Sequence, residues 1–100
     1  MTPAIPVLVA AVLVGTGCYA VLARRHAVLM VIGVELMLAG AGMILITAGT
    51  FSPDRYASGA VLTMFVITIA AAEVVLALAV FVALYRARGH VDLQPDGAVE

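Results

Sequence analysis

The chain has no lysine, no tryptophan and a single cysteine, and charged residues fill only 11% of its 100 positions. A soluble domain carries about a quarter charged residues, so this chain lacks the polar surface that water requires. Cys18 has no second cysteine to pair with, and no cysteine or histidine spacing indicates a metal site. The formal net charge of -1 offers no basic face to phosphates, so we expect no nucleic-acid partner.

Apolar residues dominate what is present: 65% of the chain is hydrophobic, and the mean hydropathy is +1.21. A chain this short cannot bury so much apolar surface in its own core, so lipid must be its main solvent. Three apolar runs, at about 4–23, 27–49 and 60–85, reach the roughly 20 residues that cross a bilayer. Because only helices satisfy their backbone within one such segment, the sequence predicts an all-α membrane protein with three transmembrane helices in one domain, 1–88.

The polar segments predict the orientation of the chain. Residues 24–26 and 50–58 connect the helices, and residues 89–100 form a polar tail that we expect to be flexible and cytoplasmic. One arginine lies in the second connection, whereas four lie at the other end of the helices, at positions 24, 25, 86 and 88. Since arginines favour the cytoplasmic side, we expect the N-terminus outside. Arginine without lysine, together with much Ala, Val and Gly, favours a GC-rich bacterial genome. We expect a multi-pass protein in the bacterial cytoplasmic (inner) membrane.

Two carboxyl groups lie deep within the apolar runs. Glu35 is about 13 Å along the second helix from His26, and Glu73 is about 20 Å from Arg86 at the same end. A charged acid near the centre of a span costs about 2.5–3.5 kcal/mol on insertion scales. Burial disfavours the charged form, so such a group can take up and release a proton, as a proton carrier must. The spans contain no Lys, Arg or His, so a cationic partner is expected from another polypeptide or from the helix ends.

Small residues flank both acids and would let neighbouring helices shield them from lipid. They are Ala39 and Gly42 beside Glu35, and Ala70 and Ala77 beside Glu73. The simplest interpretation is that each acid is only a hydrogen-bonded packing contact. Two acids in separate spans at comparable depth favour proton transfer instead.

The arginine pair before the second span, "VIGVELML" within it and "AAAEVVLALAVFVALYR" in the third together resemble the NuoK family. NuoK is the small membrane subunit K of bacterial NADH-quinone oxidoreductase, respiratory complex I. The resemblance covers roughly residues 3–88. It implies that Glu35 and Glu73 belong to a chain of buried ionisable groups that couples quinone reduction to proton pumping. It also implies a role in activity or assembly for Arg24 and Arg25, which the residues alone mark as topology determinants and headgroup anchors.

The same resemblance implies a subunit of a proton-translocating enzyme without a redox centre of its own. NADH, flavin, iron–sulfur clusters and quinone would bind other subunits, and this chain would pack between neighbouring membrane-arm subunits. Ala39 replaces the asparagine usual in the family and Ala77 a usual glycine, while Ser58-Gly59-Ala60 departs at the start of the third helix. These departures concern the contacts between subunits, and they fit either the standard enzyme or a divergent second copy.

Three other interpretations have different functional consequences. A small multidrug exporter would need four spans and an acid in the first. The small membrane subunit of multi-subunit sodium/proton antiporters has the same shape but is not expected to carry both acids. A structural assembly subunit of a related ferredoxin-, F420- or hydrogenase-linked complex would use the acids only for packing. The residues do not distinguish among the electron donors of such complexes.

Overall fold

The computed structural model describes residues 2–53 and 56–93. Three α-helices follow one another: α1 at Ala4–Ala23, α2 at Ala27–Thr50 and α3 at Ser58–Arg88. All three are long and apolar enough to cross a membrane, which confirms the all-α, three-span prediction. The 31 residues of α3 extend past the apolar run 60–85 at both ends. A helix of that length measures about 46 Å, so it must tilt or protrude from the ~30 Å hydrocarbon core.

Backbone conformation explains where the helices stop. Arg24 and His26 are extended, with φ of -122° and -74° and ψ of 143° and 123°, and they separate α1 from α2. Ala57, in the left-handed region at φ 52°, precedes α3. Gly89 ends α3 at φ 77°, and its N–H donates to the carbonyl oxygen of Tyr85 at 2.7 Å. Glycine adopts this conformation without steric cost and reverses the chain direction there.

The helices lie side by side in a single layer with α2 in the middle. Among the described residues, α2 packs more extensively against α1 than against α3, and α1 and α3 do not contact each other. The Cα atoms span 56 × 25 × 12 Å, so the layer is about one helix deep. Both broad faces are therefore left uncovered by the chain itself.

The described part of the chain has no core of large side chains. Its only buried hydrophobic residues are Ala10 and Ala27, and its other buried positions are glycines and threonines. Bulky side chains point outward instead: Leu22 is 81% exposed and Met64 is 69% exposed. The helices therefore meet through small residues and leave their large apolar side chains for lipid or for other polypeptides.

Glycines bring α1 and α2 into backbone contact along most of their length. A Cβ atom at Gly17 would collide with the carbonyl oxygen of Gly33, and one at Gly33 would lie 2.6 Å from the carbonyl oxygen of Gly17. One at Gly40 would lie 2.6 Å from Cγ2 of Val14. The contacts at Gly17 and Gly33 are with backbone carbonyl oxygens, which cannot move aside, so the interface requires glycine at these two positions. At Gly40 the nearest atom belongs to the Val14 side chain.

The α2–α3 interface is close only near the end of α2 and the start of α3. A Cβ atom at Gly59 would collide with the carbonyl oxygen of Leu45. The Thr63 hydroxyl donates to the carbonyl oxygen of Gly59 at 2.8 Å and, across the interface, to that of Gly42 at 3.3 Å. Since the helices are antiparallel, pairing Gly42 with Thr63 places Glu35 level with residue 70 of α3.

A short segment after α3 returns to the α1–α2 connection. The N–H of Ala27 donates to the carbonyl oxygen of Val91, and the N–H of Leu93 donates to that of Arg25, both at 2.9 Å. His26 and Asp92 thus form an isolated antiparallel bridge. Residues 89–93, here named the C-terminal strap, begin the tail that the sequence predicts to be flexible. Residues 94–100 lie outside the described part, so flexibility there stays a prediction.

Candidate functional site

Glu35 lies in the middle of α2, on the face that turns toward α3. Its side chain is half-buried, and its Oε1 atom is shielded from solvent without any hydrogen-bond partner. A buried carboxyl oxygen without a donor is costly, because it loses its bonds to water and gains nothing in return. The site is therefore incomplete within the described residues of this chain.

Two apolar grooves meet at Glu35. The larger, of about 730 Å³, runs between α2 and α3 from Glu35 toward the end of α2, and Thr47, Thr63 and Ala70 contribute to its walls. The smaller, of about 360 Å³, runs from Glu35 the opposite way along the same helices, toward Val28 and Phe81. Glu35 is the one residue that lines both grooves, so its carboxyl group joins the two halves of the α2–α3 interface.

The hydroxyl groups in the larger groove do not donate to Glu35. Thr47 donates to the carbonyl oxygen of Met43 at 2.7 Å, and Thr50 donates to that of Ile46 at 2.9 Å. Thr63 is committed to backbone carbonyls on both sides of the interface. These hydroxyl oxygens retain lone pairs and can still accept hydrogen bonds. The larger groove thus offers hydrogen-bond acceptors to a water molecule, but its hydroxyl groups do not donate to Glu35.

Glu73 is half-buried on α3 and lines neither groove. The antiparallel register places it about 4.5 Å along the helix axis from the level of Glu35, toward the arginine end. The sequence instead predicted Glu73 to lie about 7 Å farther from that end than Glu35. Its small neighbours contribute to the site of the other acid, since Ala70 lines the larger groove and Ala77 the smaller. The two acids thus lie at similar levels along neighbouring helices, although only Glu35 lines the grooves.

Arg24 and Arg25 are exposed in the connection between α1 and α2. Glu35 lies eight residues into α2, or about 12 Å beyond the start of that helix. The structure therefore does not bring the arginines and the carboxyl groups into one cluster. Through its carbonyl oxygen, Arg25 instead accepts the hydrogen bond from Leu93 in the C-terminal strap, a contact that the sequence does not predict.

No other group of ionisable side chains in the described ranges, 2–53 and 56–93, suggests a metal centre. Within them, no three His, Cys, Asp or Glu side chains come together closely enough to hold a metal ion. Cys18 is exposed on α1 and unpaired. The chemistry that the site can support is consequently that of a carboxyl group within an apolar layer.

These features define a class: a small multi-pass membrane protein whose three helices carry an unsatisfied carboxyl group. The sequence profile of the family described as NADH-ubiquinone/plastoquinone oxidoreductase chain 4L matches residues 5–96. The chain belongs to this family, and the resemblance identified from its glutamate motifs is confirmed.

Individual relatives agree with the profile. A NADH-quinone oxidoreductase subunit K 2 of Streptomyces griseus subsp. griseus is 45% identical over 86% of this chain and 58% of its own length. Its namesake from Streptomyces avermitilis is 43% identical over 94% of this chain and 84% of its own length. A NAD(P)H-quinone oxidoreductase subunit 4L of Leptolyngbya boryana is 38% identical over 87% of this chain and 86% of its own length. The chain thus spans less than two thirds of the Streptomyces griseus relative.

Proposed function

We propose that this chain is the subunit K of a bacterial proton-translocating NADH-quinone oxidoreductase, in which Glu35 and Glu73 transfer protons in step with quinone reduction. One observation carries the proposal. In a member of this family, the buried Oε1 atom of Glu35 stands without a partner where two grooves meet. Grooves that reach a buried carboxyl group from two directions suit proton transfer, and a packing contact does not require them.

The shape of the site supports a relay. The grooves lead from Glu35 toward opposite ends of the layer, so protonatable groups or water from neighbouring subunits can approach the carboxyl group from two directions. Proton transfer requires groups within hydrogen-bond reach of one another or linked through one water molecule. Glu73, about one helical turn away in level, extends the path on the other helix of the same interface.

The remaining parts of the proposal concern the surroundings of the chain. Its partners are the neighbouring membrane-arm subunits, which cover the exposed faces of the layer and supply the donor that Glu35 lacks. NADH, flavin, iron–sulfur clusters and quinone bind other subunits. The N-terminus lies outside and the arginine end lies in the cytoplasm, with Arg24 and Arg25 contributing to activity or assembly. The membrane is the bacterial cytoplasmic membrane.

Other functions fit less well. The family match favours the oxidoreductase over the small membrane subunit of a sodium/proton antiporter. A purely structural role, as an assembly subunit, predicts that each acid is paired or dispensable. The two grooves that give other groups access to Glu35 favour a group that exchanges protons.

The test is to replace each acid with its neutral isostere. Glu35→Gln and Glu73→Gln should leave the complex assembled and lower quinone-coupled proton pumping in inverted membrane vesicles by about tenfold or more, since a relay group contributes on the order of 10²–10⁴. Glu35→Asp, which keeps an ionisable group, should retain more pumping than Glu35→Gln. The measurements are native gel analysis of assembly and the initial rate of vesicle acidification.

Two outcomes would contradict the relay. Full pumping in both glutamine variants would remove proton transfer from these residues. Loss of assembly, with normal pumping per assembled complex, would assign them to packing instead.

A further inference from the structure

The C-terminal strap pairs with the connection between α1 and α2. That connection is extended at both of its ends, and an extended backbone directs its N–H and C=O groups sideways, where they need partners. The strap supplies two of them. The carbonyl oxygen of Val91 accepts from the N–H of Ala27, and the N–H of Leu93 donates to the carbonyl oxygen of Arg25, both at 2.9 Å.

The bond to Val91 caps the start of α2. Ala27 is the first residue of that helix, and the first N–H groups of a helix have no partner within it. The side chain of His26 does not cap the helix. Ala27 is buried, so an unpaired N–H there would be costly. The carbonyl oxygen of Val91 therefore takes the place of a side-chain cap.

The strap is itself held in position. Gly89 takes the left-handed conformation and turns the chain from α3 back toward the connection. The next three residues, His90, Val91 and Asp92, are half-buried. The Nη1 atom of Arg88 donates to the carbonyl oxygen of Asp92 at 3.5 Å. Contacts with both α3 and the connection thus fix the strap.

The pairing determines the side on which Arg25 leaves the connection. His26 and Asp92 lie directly opposite each other, so their side chains lie on one side of the pair. Because neighbouring residues of an extended segment direct their side chains to opposite sides, Arg25 points to the other side. The strap thus turns Arg25 away from Asp92, the acid of the strap, and the exposed Arg25 faces outward from the chain.

We propose that the strap is a positioning element, in which Leu93 holds the backbone of Arg25 and thereby directs its guanidinium group toward an anionic group outside this chain. The contribution of Arg25 to activity rests on the proposed function. The pairing of residues 25–27 with 91–93 does not. Locking the pair should preserve activity, and breaking it should lower activity only while the guanidinium group is present.

The first experiment locks the pair in the assembled complex. In a Cys18→Ser background, His26→Cys with Asp92→Cys should form a disulfide on mild oxidation, because non-hydrogen-bonded antiparallel pairs have Cα atoms about 4.5 Å apart. The matched control, His26→Cys with Leu93→Cys, places one side chain on the opposite side and should not cross-link. Trypsin cuts this lysine-free chain only at its five arginines, so the cross-link joins two separate peptides that mass spectrometry resolves.

Proton pumping in inverted vesicles should be the same for the oxidised and the reduced test pair, because the closed pair is the active arrangement. The oxidised control pair corrects for damage to other subunits. Loss of pumping on oxidation of the test pair alone would show that the pair must separate, and would overturn the proposal. Cross-linking of the control pair as efficiently as the test pair would overturn the pairing itself.

The second experiment breaks the bond to Arg25. Leu93→Pro removes the N–H that donates to Arg25, whereas Leu93→Ala keeps it. Pumping per assembled complex, with assembly measured on native gels, should be at least about threefold lower in the proline variant, because a misplaced charged group contributes less to the rate. In an Arg25→Gln background the proline and alanine variants should pump equally. The same loss in both backgrounds would overturn the positioning of Arg25.

The third experiment is a rescue. In the Leu93→Pro variant, the oxidised His26→Cys and Asp92→Cys pair should restore pumping to the level of Leu93→Ala, since the disulfide replaces the lost bond. Complete cross-linking without recovery would overturn the proposal. Full pumping in Arg25→Gln would also overturn it and leave the glutamate relay untouched. Full pumping in Glu35→Gln and Glu73→Gln would reject the relay, while the strap would still be supported by the rescue.

Discussion

The two interfaces of α2 differ in what their small residues achieve. Against α1, glycines at 17, 33 and 40 let the two backbones touch along the length of the helices. Against α3, close contact is confined to the region of Gly59 and Thr63, and beyond it the helices leave space for two grooves. At the α1–α2 interface the small residues bring the two backbones together. At the α2–α3 interface the helices leave open space around Glu35.

This difference indicates that α1 and α2 form the rigid pair of the layer. Contacts between backbones cannot be relieved by changing a rotamer, so a larger residue at Gly17 or Gly33 would have to push α1 and α2 apart. The α2–α3 contact includes a threonine hydroxyl and groove walls, which tolerate adjustment. An unsatisfied carboxyl group lies in the more adjustable interface, where neighbouring subunits have room to reach it.

The largest effect is expected at the α1–α2 interface. Gly17→Val places a side chain against the carbonyl oxygen of Gly33 and should destabilise the packing by more than about 3 kcal/mol, the upper part of the range for overpacking. The amount of chain in isolated membranes should fall at least about tenfold, as measured by immunoblot. Gly15→Val is the matched control, because a Cβ at Gly15 meets nothing within 4 Å. Equal loss in both variants would show that α1 is not held as described.

An intermediate effect is expected where α3 begins. Gly59→Ala directs a methyl group at the carbonyl oxygen of Leu45 and should cost about 1–3 kcal/mol. Gly42→Ala meets only Cγ2 of Thr63 at 3.4 Å and should cost less than about 1 kcal/mol. The temperature at which the chain dissociates from the detergent-solubilised complex should therefore be lower for Gly59→Ala than for Gly42→Ala. The reverse ranking would contradict the register of α2 and α3.

The smallest effect is expected from a single hydroxyl group. Thr63→Val removes the donor shared between Gly59 and Gly42, and one interhelical hydrogen bond in a membrane contributes on the order of 0.6 kcal/mol. Thr68→Val is its control, since Thr68 is exposed and donates only to Met64 on its own helix, at 2.9 Å. The same dissociation assay should show a lower temperature for the first variant only. A larger shift for Thr68→Val would indicate that its side chain contacts a neighbouring polypeptide.

The sequence predicted the helices well because length and apolar composition decide whether a segment spans a membrane. It predicted α1 at Ala4–Ala23 to the residue and the start of α2 at Ala27. The ends of α3 were harder to predict. The helix continues to Ser58 and Arg88, beyond the apolar run, and there hydrogen bonding, not hydropathy, determines where it begins and ends. The strap was missed because it pairs residues 25–27 with 91–93, far apart in the chain and without a strand-like pattern.

The site was predicted in its residues but not in its arrangement. An acid within an apolar run is visible in the sequence, so both glutamates were found. The helix register decides which acid faces a groove, and no local pattern reveals it. Ala70, expected to shield Glu73, lines the groove beside Glu35 instead. Likewise, Gly40 packs on α1 while Gly42 faces α3, a division that depends on which helix lies on which side.

Because the layer is only one helix deep, a newly inserted chain depends on other polypeptides to cover its two broad faces. A newly inserted copy exposes both broad faces to acyl chains and leaves a buried carboxyl oxygen without a partner. Its lifetime would then be set by how soon other polypeptides arrive. The steady-state amount of this chain should accordingly follow the supply of its neighbours more closely than its own rate of synthesis.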